Sequence, residues 1–310
     1  MLDCIGRLAS KQRDFRMLLG PGDDCALAKI TPGRALVITT DEMVEGTHFK
    51  NPAGKAKLIA RKLLRINLSD FAGMGDVKPV CVVCGASFPP SLPWKWVRDF
   101  TSALIGECKR FGVFLAGGNL ARSAKIHVYI TAMGEASPGN IVRRSGAVPG
   151  DLIFGMGKIG EARAGLELSQ KSVPAQFKDL LQSFWLPQPC LEEARLIGRM
   201  KLASSMMDNS DGLYKSVATL AKSSGCGAYI EVMQSCLSVP LEKYCRKTGK
   251  DWKRYVISGG EDYGLILTVK PRNADKFIKH FPRAYALGLM TEGNGVKCHG
   301  YENPKIFEHF

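Results

Sequence analysis

Hydrophobic positions fall into short apolar runs that alternate with longer stretches of helical spacing. Apolar or β-branched runs predict strands at residues 36–39, 80–88, 113–116 and 126–133, the first of them largely buried. Apolar residues three or four positions apart predict helices at 55–68 and 94–110. A Ser-Pro-Gly-Asn turn is expected at 137–140. This order of elements favours an α/β or α+β fold.

The second half of the chain continues the alternation after a predicted linker at 143–146. A strand ending at Phe154 is followed by Gly155, Gly157 and Gly160, which match the G-x-G-x-x-G pattern of dinucleotide sites. That pattern expects a second strand ending in an acidic residue, whereas residues 169–178 are polar and contain a proline. We therefore interpret the glycines as a tight turn, and we predict two domains, 1–147 and 148–310.

Composition limits the possible partners. The chain of 310 residues carries a net charge of +14, and basic residues gather at 55–65 and 243–254. Neither segment interleaves aromatic residues, and no nucleic-acid-reading motif is present, so we expect no nucleic-acid partner. A solvated basic surface that attracts phosphorylated small molecules explains the charge. No apolar run is long enough to span a membrane, and the first residues lack a signal-peptide core, so we predict a cytoplasmic protein without membrane contact.

Acidic residues and hydroxyls gather beside glycine, serine and asparagine in five predicted loops. These loops lie at residues 20–26, 40–48, 67–75, 206–213 and 259–263. Carboxylate and hydroxyl oxygens are the donors that Mg²⁺ prefers. Because the chain has no Walker-type phosphate loop, a bound nucleotide would be held mainly through metal ions.

Three of these loops also have a purely structural interpretation. The polar residues after 36–39 are equally typical of a solvated strand end, and an aspartate after glycine is typical of an Asx-turn. Ser210 or Asp211 could cap the helix predicted at 213–223. The recurrence of the pattern along the chain favours cation binding more than any single loop does.

The ordered set of motifs resembles the thiamine-monophosphate kinase family. The motifs are Gly-Pro-Gly-Asp-Asp (20–24), Thr-Thr-Asp (39–41), Glu-Gly-Thr-His-Phe (45–49), Asn-Leu-Ser-Asp (67–70), Gly-Gly-Asn (117–119), Arg-Arg-Ser-Gly (143–146), Asp-Asn-Ser-Asp-Gly (208–212) and Gly-Gly-Glu-Asp-Tyr (259–263). The resemblance implies a two-domain α+β / α/β fold like that of aminoimidazole ribonucleotide synthetase. It also implies a homodimer paired through the N-terminal sheet, an α/β C-terminal domain, and ATP with several Mg²⁺ ions between the domains.

The same resemblance implies roles for individual residues. Implied Mg²⁺ ligands are Asp24, Thr39, Thr40, Asp41, Asp70, Asn119, Asp208 and Asp211, of which Asp41 and Asp211 are expected to be catalytic. Implied nucleotide contacts are Gly118, Asn119, Arg144 and Ser210, and implied contacts to the substrate are His48 and Glu261. The implied reaction moves a phosphoryl group from ATP to thiamine phosphate. A phosphate oxygen is already anionic, so the chemistry requires alignment and charge neutralisation rather than a strong base.

Two positions depart from the family pattern. Asn119 stands where the family usually has an aspartate, and Pro304 stands nearest by spacing to a family tryptophan. A neutral amide should weaken one Mg²⁺ site unless Glu135 compensates. A structural alternative is that Asn119 turns the chain after Gly118. At the level of function, a nucleotide-binding paralogue without kinase activity and a phosphotransferase acting on another small phosphate stay open.

Overall fold

The computed structural model describes residues 16–20, 25–170 and 174–301. Contacts divide the chain into two compact units, Met1–Phe71 with Val77–Gly139 and Ala72–Asp76 with Asn140–Phe310. We call these the N-terminal unit and the C-terminal unit. Because this division follows contacts rather than chain order, the domain boundary expected at residue 147 stays a prediction.

A four-stranded sheet with the order β3-β6-β4-β5 forms the centre of the N-terminal unit. Its elements, a few residues of which belong to the other unit, are β1 (Met17–Leu19), β2 (Leu27–Ala28), β3 (Ala35–Val44), α1 (Ala56–Gly73), β4 (Gly75–Phe88), α2 (Trp94–Arg110), β5 (Phe114–Arg122) and β6 (His127–Ile141). Strands β1 and β2 pair as a separate antiparallel ribbon. The helix predicted at 94–110 is confirmed, and the one predicted at 55–68 extends further, to Gly73.

The basic run at 55–65 is partly internal, contrary to the solvated surface that the sequence predicts. Lys62 and Arg65 on α1 are each 1% exposed. Arg65 Nε donates a 2.7 Å hydrogen bond to Glu107 Oε1 on α2, which joins the two helices. A charge removed from water needs such a partner. Part of the positive charge of the chain is therefore used in packing.

Strand β3 is longer and more exposed than the sequence predicts. It runs from Ala35 to Val44, and it lies at the edge of the sheet, pairing with β6. Leu36 is 48% exposed and Ile38 is 60% exposed, so the expectation of a largely buried strand is wrong. Alternation explains this: these two side chains share one face of the strand, and residues such as Met43 occupy the other.

Residues 137–140 continue strand β6 instead of forming the predicted turn. Asn140 Nδ2 donates to Asp76 Oδ2 at 3.0 Å, and an added Cβ on Gly75 would lie 2.9 Å from Asn140 O. This close backbone approach and the side-chain hydrogen bond override the local turn preference of Ser-Pro-Gly-Asn.

A six-stranded sheet with the order β12-β9-β11-β7-β10-β8 forms the centre of the C-terminal unit. Its elements are β7 (Leu152–Met156), α3 (Glu161–Leu168), α4 (Lys178–Trp185), α5 (Leu191–Met200), β8 (Ser205–Asp208), α6 (Leu213–Ser224), β9 (Gly227–Ile230), α7 (Val239–Thr248), α8 (Trp252–Ser258), β10 (Leu265–Val269), α9 (Ala274–His280), β11 (Tyr285–Thr291) and β12 (Val296–Cys298). The basic stretch that the sequence leaves irregular contains α7 and α8.

Alternating side chains divide the core of the C-terminal unit between the two faces of its sheet. Ile153 and Ile266 belong to one buried cluster, while Phe154, Leu265 and Leu267 belong to the other. This is the period of two that a strand covered on both faces requires. Strand β10 runs antiparallel to both β7 and β8, so the carboxyl ends of β7 and β8 and the start of β10 meet at one edge. The segment that follows β8 and the segment that precedes β10 carry the acidic motifs of this unit.

Candidate functional site

Strand β3 and helix α1 bring three of the predicted oxygen ligands together in the N-terminal unit. Thr39 and Asp41 share one face of β3 and are half-buried. Thr39 Oγ1 donates a short hydrogen bond to Asp70 Oδ2 on α1. Asp70 therefore lies on a helix rather than in a loop. The alternative of a solvated strand end does not fit, because Thr39 and Asp41 are half-buried within the strand and Asp70 lies on a helix.

Thr40 lies on the opposite, exposed face of β3. Its Oγ1 donates to Ile130 O at 2.9 Å, and Thr131 Oγ1 lies 3.4 Å away. Glu42 shares that face and pairs with His127, with 2.7 Å between Oε2 and Nε2. The hydroxyl of Thr40 therefore lies on the face of β3 opposite to Thr39 and Asp41. The role of Thr40 as a Mg²⁺ ligand stays a prediction.

His48 is held in a defined orientation at the end of β3. Its Nδ1 accepts a 3.0 Å hydrogen bond from the backbone N–H of Val44. A neutral imidazole that accepts through Nδ1 carries its proton on Nε2. The nearby carboxylate of Glu45 accepts from the backbone N–H of Ile126 at 3.0 Å, which fixes the turn. His48 is thus prepared to donate a hydrogen bond from Nε2.

Gly118 and Asn119 lie inside strand β5, so the alternative that Asn119 turns the chain is wrong. They pair with Cys84 and Gly85 of β4. A Cβ on Gly118 would lie 2.1 Å from Cys84 O, which explains the glycine. The side chain of Asn119 is exposed and makes no hydrogen bond to any residue that the structure describes. The sheet continues through Gly-Gly-Asn because β4 pairs with this segment throughout.

Glu135 does not compensate for the missing aspartate at position 119. It pairs with Leu36 of β3, whereas Asn119 lies on β5 at the other side of the sheet. Both of its carboxylate oxygens accept hydrogen bonds from Thr31, each at 3.0 Å. Burial opposes ionisation, but these hydrogen bonds outweigh it and lower the pKa of Glu135. The carboxylate is committed to a structural contact.

In the C-terminal unit, the segment after β8 holds three of the predicted residues. Asp208 is buried, and its Oδ1 accepts a 3.1 Å hydrogen bond from Ser210 Oγ. Asp211 Oδ2 lies 3.0 Å from Lys215 Nζ, one turn into α6. Helix α6 begins after Gly212, which makes no side-chain cap, so neither Ser210 nor Asp211 is the predicted helix cap. The capping interpretation is wrong, and Lys215 is a partner that the sequence analysis missed.

The segment before β10, residues 259–264, is fastened to the segment after β8. Glu261 N–H donates to Ser210 O at 2.6 Å, and Tyr263 N–H donates to Asn209 O at 3.1 Å. Glu261 and Tyr263 both adopt the left-handed region, with φ of 65° and 52°. Such conformations in residues other than glycine cost free energy and gather at functional sites. The two acidic segments of this unit therefore form one fixed structure.

Asp262 is a buried carboxylate that the sequence analysis did not single out. Its oxygens accept from the backbone N–H groups of Gly160 at 2.8 Å and Ala162 at 3.2 Å, at the start of α3. Burial raises the pKa of Asp262 to about 8, although these hydrogen bonds lower it. The helix N-terminus that a dinucleotide phosphate would need is thus occupied by a carboxylate.

The glycines of the G-x-G-x-x-G pattern serve packing, as the sequence analysis interprets them. Gly157 has φ of 95°, and its added Cβ would lie 3.0 Å from Gly264 Cα. Gly160 has φ of 79°, and its Cβ would lie 2.9 Å from Tyr255 C. Positive φ and this close backbone approach both require glycine.

A cavity of about 710 Å³ adjoins Asp262 in the C-terminal unit. Its lining includes Lys158 on the segment after β7, Glu193 on α5 and Phe281 directly after α9. The volume is in the range of sites for small molecules. It adds room for an organic group beside the acidic segments of this unit.

The remaining predicted residues give less information. Arg144 is exposed, and it has no hydrogen bond or ion pair with the part of the chain that the structure describes. Asp24 and Pro304 lie outside the described residues. No helix among the described residues is long and apolar enough to cross a membrane.

The donor set fits Mg²⁺ in chemistry, although it forms no closed cage. Among residues 16–20, 25–170 and 174–301, no group of three or more His, Cys, Asp or Glu side chains is arranged to hold a metal ion. Mg²⁺ usually keeps several waters and binds one or two carboxylates together with substrate phosphates. Asp41 with Asp70, and Asp208 separately, supply oxygen donors of that kind.

Models of the AIR synthase related proteins match both parts of the chain, the N-terminal domain model over residues 22–136 and the C-terminal domain model over residues 148–300. The chain belongs to this class, and its predicted fold class is confirmed. Thiamine-monophosphate kinase of Prochlorococcus marinus is 31% identical over 309 residues, 93% of this chain and 90% of that protein. The Escherichia coli enzyme of the same name is 34% identical over 275 residues, 87% and 82% of the two chains. Within the class, the chain belongs to the thiamine-monophosphate kinase family.

Solved structures agree with this assignment. AaThiL complexed with AMPPCP and TMP has a TM-score of 0.81 and 30% identity, and the match covers 100% of this chain and 96% of that one. Thiamine-monophosphate kinase from Stenotrophomonas maltophilia has a TM-score of 0.82 and 26% identity, with coverage of 97% and 96%.

Proposed function

We propose that this protein transfers the γ-phosphoryl group of ATP to thiamine phosphate, giving thiamine diphosphate and ADP. The observation that carries the proposal is the similarity over most of the chain to enzymes named thiamine-monophosphate kinase, one structural relative being a complex with AMPPCP and TMP. An oxygen of the acceptor phosphate forms a bond to the γ-phosphorus of ATP, and the bond from that phosphorus to the β–γ bridging oxygen breaks.

The residues of the site suit this reaction because it needs positioning and charge balance. The acceptor oxygen is anionic near neutral pH, so no general base has to remove a proton. Bound Mg²⁺ would neutralise the charge of two polyphosphate groups. Its proposed ligands, by resemblance and by oxygen chemistry, are Asp24, Thr39, Thr40, Asp41, Asp70, Asn119, Asp208 and Asp211.

The remaining polar residues are assigned to contacts with the nucleotide and with the acceptor. We propose that Gly118, Arg144 and Ser210 contact ATP, the exposed guanidinium of Arg144 being suited to a phosphate. The proton on Nε2 of His48 suits a hydrogen bond to the acceptor phosphate. Glu261 supplies a carboxylate, which suits the cationic organic part of thiamine phosphate.

Direct product analysis tests the proposed reaction. Purified protein is incubated with ATP and Mg²⁺ and with thiamine phosphate, thiamine or a purine-pathway ribonucleotide, and products are separated by chromatography. We expect a phosphorylated product only with thiamine phosphate as the acceptor, and that product should be thiamine diphosphate. Binding of ATP without any thiamine diphosphate would instead support the nucleotide-binding paralogue, and turnover of the ribonucleotide would support another acceptor.

We also propose that the protein forms a homodimer through the exposed face of β3. Leu36 and Ile38 are 48% and 60% exposed on that face, and Tyr129 of the neighbouring strand β6 is 37% exposed. An apolar sheet face at an open edge favours association with a second copy. A cytoplasmic location, expected from the sequence, stays a prediction.

A single charge on that face tests the dimer. Ile38→Glu should convert a particle of twice the 33.8 kDa chain mass into a monomer in light scattering, because the new carboxylate would be buried at the interface. Val239→Glu is the matched control, since Val239 is also 60% exposed but lies in the C-terminal unit. A monomeric wild type at micromolar concentration would contradict the proposal.

A further inference from the structure

Residues 259–264, which we call the Glu261 loop, are held in a conformation that an isolated chain would avoid. Glu261 and Tyr263 are left-handed, with φ of 65° and 52°, and neither is glycine. Each such conformation costs free energy in a residue other than glycine and persists when its surroundings fix it. The cause of the Glu261 conformation must therefore lie in contacts of the loop with its neighbours.

Backbone contacts supply part of that constraint. Glu261 and Tyr263 donate to Ser210 O and Asn209 O, and Asn209 N–H donates back to Gly264 O at 2.9 Å. The ends of the loop approach other backbone so closely that a Cβ on Gly259 or Gly264 would lie about 2 Å from a carbonyl oxygen: 2.0 Å from Tyr255 O and 2.1 Å from Met156 O. These contacts hold both ends of the loop and the backbone N–H groups of Glu261 and Tyr263, and the side chain between those two residues adds a further constraint.

Asp262, between the two left-handed residues, provides the side-chain contact at the centre. Its carboxylate crosses to helix α3 and accepts from Gly160 N–H at 2.8 Å and Ala162 N–H at 3.2 Å. The amide of Asn209 lies 3.5 Å from the same carboxylate. The first N–H groups of a helix have no acceptor within the helix, and the oxygens of Asp262 satisfy two of them at the start of α3. The carboxylate thus joins the loop to α3 and to the segment after β8.

We propose that Asp262 is a positioning residue that holds Glu261 in its left-handed conformation and so directs the Glu261 side chain to the acceptor. Asp262 is buried, whereas its neighbour Glu261 is only half-buried, so the two adjacent carboxylates differ in their access to solvent. This inference rests on the proposed function, in which Glu261 contacts thiamine phosphate. It assigns to Asp262 an effect on acceptor binding that a purely structural carboxylate would not have.

Glu167, at the other end of α3, provides the matched control. Its Oε2 accepts hydrogen bonds from Tyr244 at 3.0 Å and Tyr255 at 2.9 Å, and a short one from Lys250. Like Asp262, it is a carboxylate with several donors in the same unit. Unlike Asp262, it adjoins no acidic segment, so its loss should reduce stability without moving Glu261.

The test compares Asp262→Asn with Glu167→Gln. In Asp262→Asn one acceptor becomes an NH₂ group facing a backbone N–H. We expect KM for thiamine phosphate to rise about tenfold, the size of one lost hydrogen bond, with KM for ATP changed less than about twofold. Hydrogen–deuterium exchange of peptides covering 259–264 should become faster. Glu167→Gln should lower the thermal midpoint while leaving KM and loop exchange unchanged.

The outcomes separate this inference from the proposed function. If Asp262→Asn loses only stability, and its KM for thiamine phosphate and its loop exchange match those of Glu167→Gln, the positioning role is overturned. Wild type that makes no thiamine diphosphate overturns the proposed function, and the exchange comparison then still decides whether Asp262 holds the loop. The new side-chain NH₂ group of Asp262→Asn could prevent folding. In that case Asp262→Ser, which keeps one oxygen acceptor and adds no NH₂ group, replaces it, and unchanged loop exchange in Asp262→Ser also overturns the role.

Discussion

The two units present their acidic residues by different structural means. In the N-terminal unit, Thr39 and Asp41 lie on a regular strand and Asp70 lies on a helix. In the C-terminal unit, Asp211 and Glu261 lie in segments between elements, held by backbone hydrogen bonds and by side chains from distant parts of the chain. In the N-terminal unit, the period of the strand sets the direction in which each acidic side chain points. In the C-terminal unit, contacts between distant parts of the chain set it.

This difference indicates how each region should respond to change. On β3, a shift of one position moves a side chain to the other face, so neighbouring residues should differ sharply in importance. In the C-terminal segments, the backbone itself is constrained, so a change of backbone freedom should matter as much as a change of charge.

Removing single charges should produce the largest effect. Asp41→Asn and Asp211→Asn should each reduce kcat by about 10²–10³-fold, because each removes a carboxylate that is proposed to hold the Mg²⁺ ions that neutralise the phosphates. Glu42→Gln, on the opposite face of β3, is the control and should retain most activity. Steady-state kinetics at saturating ATP would measure this. Equal losses for Asp41→Asn and Glu42→Gln would contradict the assignment of faces.

The next largest difference between the two units should appear when a methyl group is added at a glycine of each unit. Gly212 has φ of 94°, and its Cβ would lie 1.9 Å from Gly259 O, so Gly212→Ala should lower the free energy of unfolding by about 3 kcal/mol. Gly118→Ala meets Cys84 O at 2.1 Å, but β5 is an edge strand that can shift, and about 1 kcal/mol is expected.

Urea denaturation would measure both of these variants. Gly106→Ala is the control, because that exposed helical position has nothing within 4 Å of the added Cβ. It should stabilise the protein by about 1 kcal/mol. A larger loss for Gly118→Ala than for Gly212→Ala would reverse the comparison of the two units.

Restoring a charge at position 119 should have the smallest effect. Asn119→Asp should lower the Mg²⁺ concentration for half-maximal activity by about two- to tenfold, since Mg²⁺ prefers carboxylate to amide oxygen. The side chain is exposed on β5, so the stability of the fold should hardly change. Titrations of Mg²⁺ with both proteins would decide, and superimposable curves would mean that this position holds no metal ion.

The sequence predicted the element types and the acidic segments better than it predicted the placement of single side chains. Helix 94–110 followed from its apolar spacing, but Asp70 was expected in a loop because Asn-Leu-Ser-Asp is rich in polar residues. Burial of Leu63 before that motif and of Phe71 after it keeps it helical. Local polarity therefore gave way to packing of the whole helix.

Asp262 shows what pattern reasoning could not reach. Its hydrogen-bond partners, Gly160 and Ala162, lie 102 and 100 positions earlier in the chain. No local pattern marks such a pairing, and the neighbouring Glu261 carries the resemblance to the family. The positive φ values on both sides of Asp262 were the structural signal that pointed to it.

The fixed Glu261 loop has a consequence for the thermodynamics of binding. Because Asp262 and the backbone contacts hold the loop from within the folded chain, the conformational entropy of residues 259–264 is lost when the chain folds. The acceptor then meets a carboxylate that is already oriented, so little ordering accompanies its binding. Calorimetry of thiamine phosphate binding should accordingly show a small entropic penalty, and the penalty should grow when the loop is released.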